Sequence, residues 1–142
     1  MPDVLFVCSG NTCRSPMAMC LFNDRCARLG LAWRAESAGL YAREGTPASD
    51  GAFYVMKERG LDLSRHVAQP VTMALLREAR LVVTMGQVYV PRILERWPAA
   101  QVLALEPPVN DPFGASLEAY RATADELEKH LPRVLEQLRA LP

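Results

Sequence analysis

Hydrophobic positions along this chain fall into two alternating patterns. Short apolar runs at Val4–Val7, Leu81–Met85 and Val102–Leu105 have the length and β-branched content of buried strands, and Ala32–Ser37 is a fourth candidate. Between them, apolar residues recur three or four apart, the spacing of one helix face. The first such segment begins after Ser15, carries Met19, Phe22, Cys26 and Leu29, and stops at Gly30. Others are predicted from about Ala48 to Arg59, ended by Gly60, from Thr72 to near Glu78, from Val90 to Trp97, and from Leu117 to Leu141. Ser15-Pro16 and Thr46-Pro47 each read as an N-cap followed by proline at the first helical position. Pro132, inside the last pattern, predicts a kink or a break. Leu61–His66 reads as turn, and Glu106–Gly114 as a polar, proline-rich loop.

Strands alternating with helices predict a three-layer α/β/α architecture around a parallel sheet, with right-handed crossovers. The last helix has a stripe long enough for a coiled coil, yet a closing α/β unit needs a covering helix there, so packing inward is expected. At 142 residues the chain suits one domain, residues 1–142, with its own core. Loops that follow strands open at the carboxyl edge of such a sheet, where ligands bind. The loop after Val4–Val7 and the loop containing Asp111 both do so, and can meet in one cleft.

Composition narrows the partners. Sixteen basic and sixteen acidic residues cancel, so the net field gives no reason to expect nucleic acid or an anionic membrane. No apolar run approaches the ~20 residues of a membrane span, and the first residues lack a signal layout, so a cytoplasmic monomer is expected. The four cysteines, Cys8, Cys13, Cys20 and Cys26, all fall in the first fifth of the chain. That distribution is neither a disulfide framework nor a zinc spacing, and no metal or cofactor is expected.

The chemistry concentrates in Cys8-Ser9-Gly10-Asn11-Thr12-Cys13-Arg14-Ser15-Pro16. A cysteine ends the first strand, a turn follows, and a helix opens. Gly10 and Asn11 both tolerate the positive φ that turns successive amides inward as an anion cradle. Arg14 adds a fork of donors matched to two phosphoryl oxygens, and the field that binds phosphate also favours the thiolate of Cys8. The Ser15 hydroxyl is placed to donate to that sulfur. Phosphoryl transfer to a thiolate needs an acid at the departing atom, and Asp111 is the candidate, with Pro112 stiffening its loop and Phe113 forming a wall for an organic leaving group. Cys13 reads either as a thiol that resolves an oxidised Cys8 or as a filler beneath the loop. Tyr41 reads either as a second wall or as an ordinary exposed tyrosine.

The loop motif with its following Ser-Pro, together with Asp111-Pro112-Phe113-Gly114 near the other end of a short chain, resembles the low-molecular-weight protein-tyrosine phosphatase family. Ser37-Ala38-Gly39 and Asp62-Leu63-Ser64-Arg65-His66 extend the resemblance across the chain. It implies a four-stranded sheet of flavodoxin-like order 2-1-3-4, Cys8 as nucleophile, Arg14 as phosphate binder, Asp111 as acid and then base, and a phosphocysteine intermediate. Residues Ser9 to Cys13 then contact the phosphoryl group or another oxyanion. Asn11, Ser15, Ser37 and His66 are implied to form a hydrogen-bond network holding the loop. Tyrosine-specific members usually carry an aliphatic residue where this chain has Thr12. In Thr12, Thr46-Pro47-Ala48 and the aspartate loop the chain resembles the bacterial protein arginine phosphatase branch, so phosphoarginine in proteins is the expected substrate and phosphotyrosine the alternative. Thiol-coupled arsenate reductases resemble the loop but relay electrons through downstream cysteines, and none follows Cys26. A non-catalytic phosphate-binding module would have no use for Asp111.

Overall fold

The computed structural model describes residues 2–142. Strand β1 (Val4–Cys8) is buried at every position, as its unbroken apolar run requires. Helix α1 (Arg14–Arg28) crosses to β2 (Ala35–Gly39), and α2 (Asp50–Glu58) and α3 (Met73–Glu78) lead to β3 (Leu81–Thr84). A single 3-10 turn at Gln87–Tyr89 opens α4 (Val90–Arg96), followed by β4 (Val102–Ala104) and α5 (Leu117–Ala140). All strand pairs are parallel, in the order β2-β1-β3-β4. Val4 pairs with Ala35 on one side and Leu81 on the other, and Val82 pairs with Val102. From the centre, the chain steps outward through α1 in one direction and through α4 in the other, so right-handed crossovers put these helices on opposite faces. No helix among the described residues is long and apolar enough to cross a membrane.

Several local expectations shift, each for a physical reason. Helix α1 buries Met17, Ala18, Leu21, Phe22 and Cys26, whereas Leu29 is exposed and Met19 only partly covered. The stripe thus lies next to the expected one, in contact with β1 and β2. The N-cap is Cys13, not Ser15. Ser15 lies in the first helical turn, and Pro16, also in that turn, sacrifices no helix hydrogen bond. Ser49 rather than Thr46 caps α2, accepting from the Ala52 amide, while Pro47 makes an antiparallel bridge to Val67 and the Thr46 carbonyl accepts from Ala68 at 2.7 Å. Pairing of β2 begins three residues late, at Ala35. Ahead of it, the Asp3 carboxylate accepts from the Arg34 amide and Asn23 brackets Ala35 through both its side-chain oxygen and nitrogen.

Pro132 neither ends nor divides α5, which runs as one 24-residue helix. It sits on the exposed face, so its missing N–H is on the solvent side. Leu127, Leu131, Val134, Leu135 and Leu138 bury the opposite face. Helix α5 packs on α1 and α2. Arg25–Glu128 at 2.7 Å ties it to α1, and Arg59–Asp125 and Arg121–Glu58, each at 2.6 Å, tie its N-terminal half to the end of α2. That packing brings Tyr120 over the loop that leaves β1.

Candidate active site

Strand β1 delivers Cys8 to the carboxyl edge of the sheet, where the residue is 2% exposed. The chain then turns through a left-handed Asn11, at φ 57°, the one non-glycine residue with positive φ among those described. Gly10 is not in that conformation, and an added Cβ there would meet nothing closer than Thr12 Oγ1 at 3.8 Å. The cradle's turn therefore rests on Asn11 alone. The reversal brings the Asn11 amide to 3.3 Å from Cys8 Sγ.

Asn11 is held by every hydrogen-bonding group of its side chain. Its Nδ2 donates to Ser15 Oγ at 2.8 Å and Ser37 Oγ at 2.9 Å, and its Oδ1 accepts from the Gln69 amide at 3.0 Å. Its backbone carbonyl lies 2.8 Å from His66 Nε2, which fixes that nitrogen as the protonated donor. Burial holds the His66 pKa below its ordinary value, against an opposing pull from this hydrogen bond. The structure thus joins Asn11, Ser15, Ser37 and His66 in one network. Ser15 Oγ accepts from Asn11 and lies 2.9 Å from Cys8 Sγ and 3.5 Å from the Ala38 carbonyl, so the sulfur is the nearer acceptor for its hydrogen. Two donors therefore point at the sulfur.

Arg14 is 7% exposed and stands with Cys8, Thr12, Cys13, Asp111 and Phe113 around a cavity of about 250 Å³. Its Nη1 donates to the Val109 carbonyl at 3.2 Å and its Nη2 to the Tyr89 hydroxyl at 3.0 Å. Nε is buried with no partner. A buried, unpaired N–H on a guanidinium is costly unless an anion completes it, and with the neighbouring amides it fits an oxyanion. Asp111 Oδ2 is 3.6 Å from Nη2, its carboxylate is half exposed, and its Oδ1 accepts from the Phe113 amide in a two-residue turn. The aspartate loop is carried by β3 and β4, since Leu105 N bonds Thr84 O and Val109 N bonds Met85 O.

The remaining expected residues divide. Thr12 lines the cavity and Phe113 stands at its mouth, 70% exposed. Ser9 turns its hydroxyl to Tyr89, 2.9 Å away, rather than toward the cavity. Tyr41 does not line the cavity; it is exposed, with the Arg92 guanidinium 5.6 Å above its ring. Cys13 is a buried free thiol that donates to Ser49 Oγ at 3.2 Å and stands 3.3 Å from the Tyr120 hydroxyl. Burial, and then the Cys13 contact, push Tyr120 up to about 12, so its hydroxyl stays protonated. Cys20 lies outside the site, and burial together with Asp24 and Asp62 raises its thiol to about 11.

Tyr89, Gln69 and Tyr120 also belong to the site, although no chemical motif of the sequence singles them out. Tyr89 orients Arg14 and Ser9 together, and its position just after β3 at the carboxyl edge was the available signal. Gly39 cannot carry a side chain, because a Cβ would fall 2.4 Å from the Ser9 carbonyl and 3.0 Å from the Asn11 amide. Gln69 and Tyr120 reach the loop only through tertiary packing.

Comparison with known proteins agrees with this geometry. The family model described as low molecular weight phosphotyrosine protein phosphatase matches residues 3–141. The protein-arginine-phosphatase of Bacillus subtilis (strain 168) is 36% identical over 146 residues, covering 96% of this chain and 97% of its own. The crystal structure of a low molecular weight protein tyrosine phosphatase from T. tengcongensis superposes with a TM-score of 0.90 at 40% identity, covering 96% of this chain and 99% of its own. A YwlE arginine phosphatase variant, its active-site cysteine replaced by a phosphorylated serine, also superposes at 0.90, with 35% identity and coverages of 97% and 96%.

Proposed function

Because this chain belongs to the low molecular weight phosphotyrosine protein phosphatase family, we propose that it removes the phosphoryl group from phosphoarginine in proteins, through a phosphocysteine on Cys8. The phosphoryl group sits over the loop, its equatorial oxygens held by the inward amides and by the unpaired Nε of Arg14. Cys8, with the Ser15 hydroxyl and the Asn11 amide directed at its sulfur, attacks phosphorus in line while the P–N bond opposite breaks. Asp111 gives a proton to the departing guanidine nitrogen. As a carboxylate it then takes a proton from the water that cleaves the S–P bond, releasing phosphate and restoring the thiolate. Ser15 steadies the sulfur as it leaves. The phosphorylated serine in the YwlE variant supports a protein-bound phosphoryl group at this strand end.

Thr12 carries the choice of substrate. It lines the cavity with a hydroxyl where an apolar side chain would leave guanidine N–H groups unpaired. Neighbours named as arginine phosphatases support the reading. A phosphotyrosine reading draws on the exposed Phe113, suited to stack on a phenol ring, and on the tyrosine phosphatase from T. tengcongensis. The test is kcat/KM for peptides of one sequence bearing phosphoarginine or phosphotyrosine. We expect the arginine peptide to be preferred, and Thr12→Ile to lower the arginine-to-tyrosine ratio by roughly 10-fold or more. Equal or faster tyrosine turnover by the unmodified protein would overturn the arginine assignment.

A further inference from the structure

Beside the catalytic cavity lies a second concavity of about 480 Å³, between the start of α2 and the start of α5. Phe113 borders both. The second is walled by Tyr54, Phe113 and Leu117, three of the large apolar side chains that the chain leaves exposed, at 52%, 70% and 42%. Such residues scattered singly mean nothing, but clustered in one groove they mark a contact surface. Its base is the Tyr120 ring. Gly51 is what lets α2 lie on that ring, since a Cβ there would come within 2.4 Å of it. Asp50 is the one charged residue in the lining, and it makes no ion pair among the described residues.

The groove is joined to the phosphate loop by hydrogen bonds. The Ser49 amide donates to the Thr12 carbonyl at 3.0 Å, and the Cys13 thiol connects Ser49 to Tyr120. A chain whose phosphorylated side chain enters the cavity past Phe113 must continue over a neighbouring surface, and this one is continuous with the entrance. We propose that the groove receives the substrate polypeptide next to the phosphorylated residue, seating an apolar or aromatic side chain against Tyr54 and Leu117 and a basic side chain at Asp50. The proposal rests on the protein-phosphatase reading but holds for either phosphorylated residue.

The experiment measures kcat and KM on three substrates: a peptide with Phe and Lys close to the phosphorylated residue, a matched peptide with Gly and Glu there, and p-nitrophenyl phosphate. Both peptides are made with phosphoarginine and with phosphotyrosine, so a wrong assignment of the phosphorylated residue is seen separately from a wrong groove. We expect the Phe/Lys peptide to be favoured, and Tyr54→Ala to raise its KM about five- to ten-fold while leaving p-nitrophenyl phosphate and the Gly/Glu peptide unchanged. Asp50→Lys reverses the charge preference. Equal kcat/KM for the two peptides, or equal losses on all three substrates in Tyr54→Ala, overturns the proposal.

Discussion

Asn11 combines a backbone conformation that disfavours ordinary residues with a side chain saturated by three partners, and His66 holds the same residue through its carbonyl. Loop geometry and histidine protonation are therefore linked. With its folded pKa held below the ordinary 6.5, His66 is neutral in the folded protein over a range where the unfolded chain is already protonated. The unfolded state binds more protons in that window, so stability is lost as pH falls through 6.5 toward the folded value. Thermal melts of the protein and of His66→Gln, whose amide can still donate to the Asn11 carbonyl, should converge between about pH 7.5 and about pH 5. A constant gap would show that His66 does not titrate as assigned. Asp62 has the same sign, its carboxylate stabilised chiefly by the Ser64 amide and hydroxyl, but it acts at lower pH and cancels in the difference.

Elements whose signal is local were legible. The buried strands, the glycine stops after α1 and α2, and the Thr72 cap of α3 stand where their residues put them. Caps were misread where a Ser-Pro or Thr-Pro pair had tertiary work to do: Ser15 serves Cys8 and Asn11, and Thr46-Pro47 serves a bridge to the segment after His66. Of the two outcomes that Pro132 predicts, the break is absent, because the proline falls on the exposed face, which the residue alone does not reveal. Replacing it with alanine should restore a helix hydrogen bond on the solvent side of α5, offset in part by a more flexible unfolded chain, for a gain of about 1–2 kcal/mol. A higher urea midpoint checks this, and an unchanged or lower one would contradict it.

At the scale of the molecule, a parallel sheet places the ends of β1, β3 and β4 along one edge, so residues about 100 positions apart in sequence share a cavity. The sequence exposed Cys8, Arg14 and Asp111 because their chemistry is peculiar to the residue type. It hid Tyr89, Gln69 and Tyr120 because those act through distance, and distance appears only on folding. The proposed mechanism turns on covalent transfer of the phosphoryl group from phosphoarginine to Cys8. The direct measurement mixes excess protein with a phosphoarginine peptide, quenches on the millisecond scale, and maps the phosphoryl group by mass spectrometry, with Cys8→Ala as control. A phosphoryl group on Cys8 should rise with release of the arginine peptide and then decay. Peptide release with no adduct on Cys8, or with the adduct on another residue, would contradict the mechanism.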